Sequence, residues 1–547
     1  MIMKKILYLI VFLTFGWSCS DFLEEDAQNL TYVNSINDLD QLLIGEGYVI
    51  ASFDECSNWN GSVPAWMHLL DDDLQYRGAG AVGEGDCRSC SAIYGWQRDP
   101  WKGGLTDDSP SSTANDAWSE LYRYINALNI ILYEAEEFKN EPDYNRIKGE
   151  AMFLRATYYW WLLNIYSKAY DVKTADKDPG VPLKLTPYVE DYEEEGGFSR
   201  ASVAKVYGQI VADLENAVQL LSGYGRKSVY RASMEAARLF LSRVYLHMEN
   251  YEGVINECDT LLQNNIYRLD DYTLIENTSQ SLITSHSPEV IFSQGGYRLR
   301  YFFGSGGMFR GGEINWSDDD NNNLMVPFYG VSDDLMDAFN DNSLVPDQSQ
   351  ENDSRYNVGI AAVILYDYAA GGGWFPVEVP HLLPAKLKTW NDGGVSDVFT
   401  LRLAEAYLNK AEALAAVGRE DEANQLWQEL RRYRIAEPEA VALYGESLMT
   451  AIRAERRLEF NFEGFRWLDL RRYAVNSKYP QKKEITHIWL WGGNADLGTP
   501  AGEETYVLAP YGEDPAWVFP IPAEEHRLNS RLELNEEREE RKAVKLN

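Results

Sequence analysis

Two long stretches of this 547-residue chain carry apolar residues at helical spacing, and this periodicity constrains the fold more than any other feature. The first stretch runs from about residue 113 to 264 and the second from 399 to 475. The first opens with Trp118, Leu121, Tyr122, Ile125, Leu128 and Leu132. Steps of three and four residues place such side chains on one face of a helix. The sequence therefore predicts packed amphipathic helices in both stretches.

Sequence breakers divide the first stretch into four predicted helices. The second helix follows Pro142 and carries the same apolar stripe up to Ile165. Two more helices are predicted at roughly 199–221 and 231–249, on either side of the Gly223-Tyr224-Gly225 breaker.

A helix-turn-helix repeat spacing occurs in both stretches. In the second stretch it is formed by Tyr407, Ala411, Leu414, Gly418, Ala423 and Trp427, and Ser242, Tyr245, Tyr251, Val254 and Cys258 align with it. Two antiparallel helices need a small residue where they approach and a tight turn between them, which Ala411 and Gly418 supply. The pattern predicts a mainly α, tetratricopeptide-like scaffold in which Trp427 and Cys258 are core residues.

Three further regions, at about 40–112, 265–398 and 476–547, are predicted to be loop-rich. Region 265–398 contains the glycine clusters 304–307 and 371–373 together with short apolar alternations, which are typical of loops and small strands. Aromatic residues make up 13% of the chain. This content favours one large folded body, spanning residues 19–547, over disorder.

The N-terminus has the pattern of an export signal that ends at a cysteine. Lys4 and Lys5 precede the apolar run Ile6–Phe15, and small residues come just before Cys19. We interpret residues 1–18 as a lipoprotein signal peptide and Cys19 as the acylated (palmitate-carrying) N-terminus, with an ordinary secretory signal as the alternative. No later segment offers about 18 uninterrupted apolar residues, so the lipid would be the only membrane attachment.

Charge and cysteine spacing exclude several other classes. A formal net charge of −35 opposes binding to nucleic acid or to an anionic membrane surface. Cys87 and Cys90 have zinc or redox spacing, but no second such pair or nearby histidine pair completes a metal site. We favour a structural disulfide from Cys56 to one of them.

Catalytic motifs give no positive signal. The segment 78–83 satisfies the Gly-x-Gly-x-x-Gly pattern, but acidic and polar residues flank it where a dinucleotide site needs a buried strand and a helix. The chain lacks a Gly-x-Ser-x-Gly elbow, a His-Glu-x-x-His motif and a Walker loop. A glycoside hydrolase needs only two carboxylates, and with 85 acidic residues it stays an alternative.

Several motifs together resemble the SusD/RagB family of outer-membrane nutrient-binding lipoproteins. These motifs are Lys148–Ala156, Leu401–Ala413, Glu455–Phe460, Glu463–Leu470 and Phe519–Glu525, together with the signal at Cys19. The resemblance runs the length of the chain. It departs from the usual pattern in two local turns, at 166–168 and 529–530, and at Gly16, where a strict lipoprotein signal has leucine.

The resemblance implies a fold, a location and a role. The implied fold is a scaffold of about four tetratricopeptide-like helix pairs, with an irregular half that carries the ligand site. The implied location is the cell surface, above a SusC-like TonB-dependent outer-membrane transporter. The family captures glycans, or sometimes peptides, for nutrient uptake in polysaccharide utilisation, and it is not known for catalysis.

Aromatic residues in glycine-rich or polar loops are the candidate ligand-binding residues. A sugar needs flat aromatic platforms flanked by polar groups. The candidates are Trp96, Trp101, Tyr297, Tyr301, Trp316 and Trp374, with Arg98, Asp72 and Tyr76. The alternative for each aromatic residue is packing against the helical half, and for the acidic run Asp71–Asp73 it is a solvated loop.

Two charged sets have separate interpretations. The run Asp318–Asn323 offers the oxygen ligands that calcium prefers, but it lacks the glycine and terminal glutamate of an EF-hand loop. We therefore predict a site without a metal or other cofactor, with calcium as the alternative. The second set comprises Arg456, Glu459, Glu463, Arg466 and Asp469. We predict that it forms buried or half-buried ion pairs that tie the C-terminal region to the scaffold.

Overall fold

The fold is taken from a computed structural model. It describes residues 33–48, 65–76, 91–102, 105, 117–188, 198–275, 282–294, 308–310, 313–315, 329–369, 373–384, 386, 395, 399–494 and 499–545.

The described part of the chain is mainly helical, as predicted. Its α-helices are α1 (Ile36–Leu42), α2 (Ser91–Tyr94), α3 (Trp118–Glu134), α4 (Tyr144–Tyr166), α5 (Val203–Leu220), α6 (Met234–His247), α7 (Tyr251–Leu262), α8 (Asp333–Phe339), α9 (Ser354–Gly359), α10 (Leu403–Ala416), α11 (Glu420–Arg432), α12 (Gly445–Phe460), α13 (Arg466–Val475) and α14 (Ala523–Leu528). Eight of them, α3–α7 and α10–α12, pack one against the next. They amount to the four predicted helix pairs.

The strands form small antiparallel sheets. They are β1 (Leu74–Tyr76), β2 (Val290–Ser293), β3 (Met308–Arg310), β4 (Glu313–Asn315), β5 (Tyr329–Val331), β6 (Ile360–Ala369), β7 (Gly373–Pro384), β8 (Thr400–Arg402), β9 (Ile485–Asn494), β10 (Thr499–Leu508) and β11 (Val544–Lys545). The pairs are β1–β5, β2–β8, β3–β4 and β6–β7, and β9–β10–β11 form a three-stranded sheet. The hairpins β6–β7 and β9–β10 are longer than the short strands predicted for these regions.

Side-chain caps fix where three of the stacked helices begin. Ser202 and Ser233 each accept a hydrogen bond from a backbone N–H three residues on, at 3.3 and 3.2 Å, at the starts of α5 and α6. Asn250 caps α7 in the same way at 3.2 Å. A cap satisfies one of the free N–H groups of a first helical turn, so these polar residues set the boundaries that periodicity alone leaves open.

Helix α4 lies between α3 and α5 and is buried over most of its 23 residues. Its Arg155 pairs with Asp213 of α5 through two hydrogen bonds, at 2.8 and 2.7 Å. The same guanidinium donates to Asn129 of α3 at 2.9 Å. Because the pair is bidentate and buried, Arg155 holds three helices in one arrangement.

The predicted helix-turn-helix units are confirmed at α6–α7 and α10–α11. Gly418 lies in the tight turn between α10 and α11 with a φ of +85°, a conformation that favours glycine. Trp427 and Cys258 are buried in the core, as expected, and Cys258 is a free thiol.

The predicted C-terminal ion pairs are also confirmed, and they are fully buried. Glu459 of α12 accepts hydrogen bonds from Arg402 at 2.5 Å and from Arg434 at 2.9 Å. Glu463 accepts two from Arg402, both at 2.9 Å. Asp469 pairs with Arg456 at 2.9 Å. Each charge has an opposite partner, which offsets the cost of removing it from water.

None of the helices in the described part of the chain is long and apolar enough to cross a membrane.

Candidate functional site

Six aromatic side chains from three strands, one helix and one turn stack continuously from the core towards the surface. We call this set the aromatic ladder, and its members are Trp96, His487, Tyr94, Tyr329, Tyr76 and Trp489. They come from β1, β5, β9, helix α2 and the turn after α2. In β1 and β5, Tyr76 pairs directly with Tyr329. The antiparallel register thus brings two rings that are distant in sequence side by side.

His487 forms the inner part of the ladder. Its ring stacks between Tyr94 and Trp96, with centroid distances of 4.1 and 4.0 Å. Its two ring nitrogens lie 2.8 Å from the carbonyl oxygens of Tyr94 and Asp71. Burial lowers the pKa of His487 to about 4, although both carbonyls act in the opposite direction. His487 is therefore neutral near pH 7, and one ring nitrogen donates to a carbonyl.

The outer part of the ladder ends at Trp489. Tyr76 stacks on Trp489 with ring centroids 4.0 Å apart and an angle of 21° between the planes. The other five rings are buried, whereas Trp489 is half-buried. Trp489 is thus the ladder ring that solvent or a ligand can reach, and the stacked rings behind it hold it in place.

A charged cluster lies directly below the ladder. Asp72, two residues before β1, binds Arg466 through two hydrogen bonds of 2.6 and 2.7 Å. It also binds Lys483 at 2.5 Å and Arg457 at 3.3 Å. Burial acts to raise the pKa of Asp72, but these cations outweigh it and hold the pKa well below its usual value. The cluster fastens β1, and with it Tyr76, to α12 and α13.

The pKa values of the neighbouring aspartates shift in the opposite direction from that of Asp72. Burial raises the pKa of Asp71 well above its usual value, and the charges of Asp73 and Asp72 add to this effect. The carboxylate oxygens of the three residues lie within 4.8 Å of one another, a spacing that suits a cation. Arg457, Arg466 and Lys483 already supply the compensating positive charge, so the cluster is an ion-pair network and not a metal site.

The structure corrects three of the predicted site residues. Trp96 is fully enclosed, stacked on His487, and its indole donates to the carbonyl of Leu70 at 3.2 Å. Tyr76 and Asp72 are also buried. The prediction that Trp96 offers an open ring face to a ligand is wrong, and so is the prediction that Asp72 and Tyr76 lie in a loop that a ligand can reach. Their partners are far away in sequence, so local composition cannot reveal the burial.

Trp101 and Arg98 lie closer to the surface. Trp101 is half-buried and packs against Trp66 and Phe519, each with a ring-centroid distance of 5.4 Å. Arg98 is exposed and forms an ion pair with Glu537. None of the described contacts joins either residue to a ladder ring.

Most of the other predicted residues lie outside the described part of the chain, and Trp374 is described only by its position in a strand. Tyr297, Tyr301, Trp316, the run 318–323, the pattern at 78–83, Cys19, Cys56, Cys87 and Cys90 lie outside the described residues. Trp374 lies in β7 opposite Tyr368, and β7 runs beside β5.

Sequence reasoning missed Trp489. The signal was present: residues 485–491 form a short run rich in β-branched and aromatic residues, in a stretch that was assigned to loops. Such a run predicts a strand, in which residues 485, 487 and 489 share one face. That reading would have identified β9, but not the residues on which it packs.

Sequence comparisons assign the chain to a family. A SusD-like profile described as "Starch-binding associating with outer membrane" matches residues 92–246, and the profile of the "SusD family" matches residues 305–537. Together these matches cover more than half of the chain. The chain belongs to the SusD/RagB family.

Curated relatives agree with this assignment. SusD-like protein P25 of Formosa agariphila is 26% identical over 293 residues, which is 52% of this chain but only 50% of that protein. SusD-like protein P38 of the same organism is 24% identical over 66% of this chain and 72% of its own length.

Solved structures share the fold. A SusD-like carbohydrate binding protein from Bacteroides vulgatus is 21% identical, with a TM-score of 0.63 over 91% of this chain and 97% of that one. A SusD superfamily protein from Bacteroides thetaiotaomicron is 19% identical, with a TM-score of 0.61 over 91% and 99%. At this identity the likeness shows the fold alone.

Proposed function

We propose that this chain is a non-catalytic glycan-binding lipoprotein of the outer-membrane surface. In this proposal it captures oligosaccharides at the outer end of the aromatic ladder and delivers them to a SusC-like TonB-dependent transporter. The observation that carries the proposal is the half-buried ring of Trp489, held in place by the stacked ring of Tyr76. A pyranose ring has an apolar C–H face that stacks on such an indole.

A sugar also needs polar groups, and the charged cluster below the ladder carries them. Lys483, just before β9, is partly exposed and binds Asp72 and Asp334, so its ammonium group is fixed at this cluster. Gln75 in β1 is also partly exposed and accepts a hydrogen bond from the backbone N–H of Asp333 at 3.4 Å. Hydroxyl groups of a sugar accept and donate hydrogen bonds to groups of this kind.

The residues predicted from sequence complete the proposed site. Tyr297, Tyr301, Trp316 and Trp374 are proposed as further platforms, with Trp101 and Arg98 on a more distant edge. Support comes from β7, which carries Trp374 and lies beside β5. A ligand of several sugar units would contact more than one of these rings.

A glycan-panel experiment tests this function. The chain from residue 20 onward is titrated calorimetrically with neutral oligosaccharides of different linkage, and each mixture is then assayed for new reducing ends. We expect saturable binding of at least one glycan and no new reducing ends. New reducing ends would instead identify a glycoside hydrolase. Binding of peptides from a protein digest, with none of the glycans bound, would identify a peptide receptor of the same architecture.

A further inference from the structure

The strand pairing of the C-terminal sheet places a carboxylate beside Trp489. In the register of β9 with β10, Trp489 lies opposite Glu504, and His487 lies opposite Tyr506. Directly opposed residues of an antiparallel pair point to the same face of the sheet, with Cβ atoms about 4.5–5.5 Å apart. Glu504 and Tyr506 therefore extend the face of the sheet that carries the aromatic ladder.

Glu504 has the exposure that contact with a ligand requires. Glu504 and Trp489 are both half-buried, whereas Tyr506 and His487, two positions further along each strand, are buried. Along this face the closed interior of the ladder is therefore followed by two accessible side chains, one aromatic and one acidic.

A hydrogen bond from Tyr506 orients the carboxylate along this face. The hydroxyl of Tyr506 donates to Oε2 of Glu504 at 3.4 Å, and it is the one hydrogen bond of the Glu504 side chain among the described residues. Burial raises the pKa of Tyr506 to about 12, and the charge of Glu504 adds to this effect, so the hydroxyl stays protonated near pH 7. A carboxylate has about four acceptor positions, and most of those on Glu504 are thus available to a ligand.

The order of the strands sets which charge a ligand meets first. Among the described side chains, none forms an ion pair with the Glu504 carboxylate. On its other side Glu504 is the register partner of Lys545 in β11. Because β10 lies between β9 and β11, Lys545 is one strand further from Trp489 than Glu504 is. A sugar stacked on Trp489 therefore meets the carboxylate first.

A carboxylate beside an aromatic platform distinguishes between sugars. A sugar ring that stacks on the indole carries hydroxyl groups around its edge, and two adjacent hydroxyls can donate to the two oxygens of one carboxylate. Such charge-assisted hydrogen bonds are stronger than those to a neutral acceptor. A sugar carboxylate or sulfate in the same place has no proton to donate and is repelled by the like charge.

We infer that Glu504 is the residue that determines the specificity of the glycan site, and that it selects uncharged sugars with adjacent free hydroxyl groups over acidic sugars. The inference rests on the proposed function, because it requires a sugar on Trp489. It adds the chemical class of the ligand and a residue that recognises it.

A matched pair of ligands tests this role. The probes are the tightest-binding hexose oligosaccharide of the neutral panel and the same oligosaccharide with its primary alcohols oxidised to carboxylates. Calorimetric dissociation constants are measured for both probes with the wild type, Glu504→Gln and Glu504→Asp. We expect the wild type to bind the oxidised probe at least about tenfold more weakly than the neutral one, and Glu504→Gln to reduce that ratio at least about threefold. Glu504→Gln should also weaken binding of the neutral probe at least about threefold, because an amide is a weaker acceptor than a carboxylate.

The aspartate variant and a neighbouring glutamate are the controls. Glu504→Asp keeps the charge but has a shorter side chain, so it should weaken binding of the neutral probe while still discriminating against the oxidised one. Glu503 is exposed and lies next in the chain, on the opposite face of β10, so Glu503→Gln removes the same charge without touching the site. It should leave both dissociation constants unchanged, and the melting temperature of each variant shows that it is folded.

The possible results separate this inference from the proposed function. Equal probe ratios in the wild type and Glu504→Gln would overturn the inference, and so would an effect of Glu503→Gln as large as that of Glu504→Gln. If the neutral probe still binds in a Trp489-dependent way in that case, the proposed function is unaffected. A wild type that binds none of the glycans would overturn both.

Discussion

Trp96 is a core residue that lies in a tight turn. It has a φ of +47°, an unusual value for a bulky side chain, and this conformation places the indole against His487 and below the Leu70 carbonyl. A strained backbone conformation of this kind persists only where the surrounding packing holds it in place. The turn and the ring therefore form one unit with the inner part of the ladder.

Replacing Trp96 with alanine is expected to destabilise the fold. Loss of a fully buried tryptophan costs about 3–5 kcal/mol, and here it also removes the stacking partner of His487. Urea unfolding at pH 7 measures the change, with Trp489→Ala as the matched control, because Trp489 is half-buried and its loss should cost clearly less. Equal destabilisation by the two substitutions would contradict the assignment of Trp96 to the interior and of Trp489 to the surface.

At the scale of elements, Glu412 connects α10 to α13. Burial acts to raise the pKa of Glu412, but Arg472 and Arg453 lower it to about 2. A carboxylate whose pKa is lower in the folded than in the unfolded state stabilises the fold at pH values above its unfolded pKa, here 4.5. The contribution is lost as the pH falls from 4.5 through about 2. It corresponds to about 3 kcal/mol when fully present.

The Glu412→Gln variant tests this connection. At pH 7 it should unfold about 3 kcal/mol more easily than the wild type, and the difference should shrink as the pH falls below 4.5. Free energies of unfolding in urea at several pH values measure this. The exposed Glu422→Gln substitution in α11 is the control and should show little effect at any pH. A Glu412→Gln deficit that stays constant down to pH 3 would show that the carboxylate charge is not its cause.

Helices could be predicted from sequence far better than the contacts of the strands. The stripes of α3–α6 are local, since each depends on residues three and four positions apart, and caps such as Ser202 sharpen the boundaries. The ladder is not local. Tyr76, Tyr329 and Trp489 are separated by hundreds of positions, and only the pairing of β1 with β5 brings the first two together.

The same reason explains the errors at individual residues. Trp96 lies among glycine and polar residues, a context typical of an exposed loop, and Asp72 lies in an acidic run typical of solvent. Their burial depends on His487, Arg466 and Lys483, which are about four hundred residues away. The ion pairing of Arg456, Glu459, Glu463, Arg466 and Asp469 was predicted correctly, because charged residues within an otherwise apolar stretch require partners wherever they fold.

At the scale of the whole molecule, a single lipid is proposed to attach a rigid helical stack to the membrane. If Cys19 is the acylated residue, as proposed, replacing it with serine abolishes incorporation of labelled palmitate and moves the protein from the membrane fraction to the soluble fraction. Cys258→Ser is the matched control, since this free thiol is buried. Palmitate labelling that persists in Cys19→Ser would refute the anchor.

The central claim is that the exposed end of the aromatic ladder holds the glycan. The most direct measurement is the dissociation constant of the best glycan from the panel for the wild type, for Trp489→Ala, and for Tyr444→Ala, which removes an exposed ring on another part of the scaffold. We predict that Trp489→Ala raises the dissociation constant at least about tenfold, equivalent to about 1.4 kcal/mol, and that Tyr444→Ala leaves it unchanged. An unchanged dissociation constant in a folded Trp489→Ala protein would contradict the account.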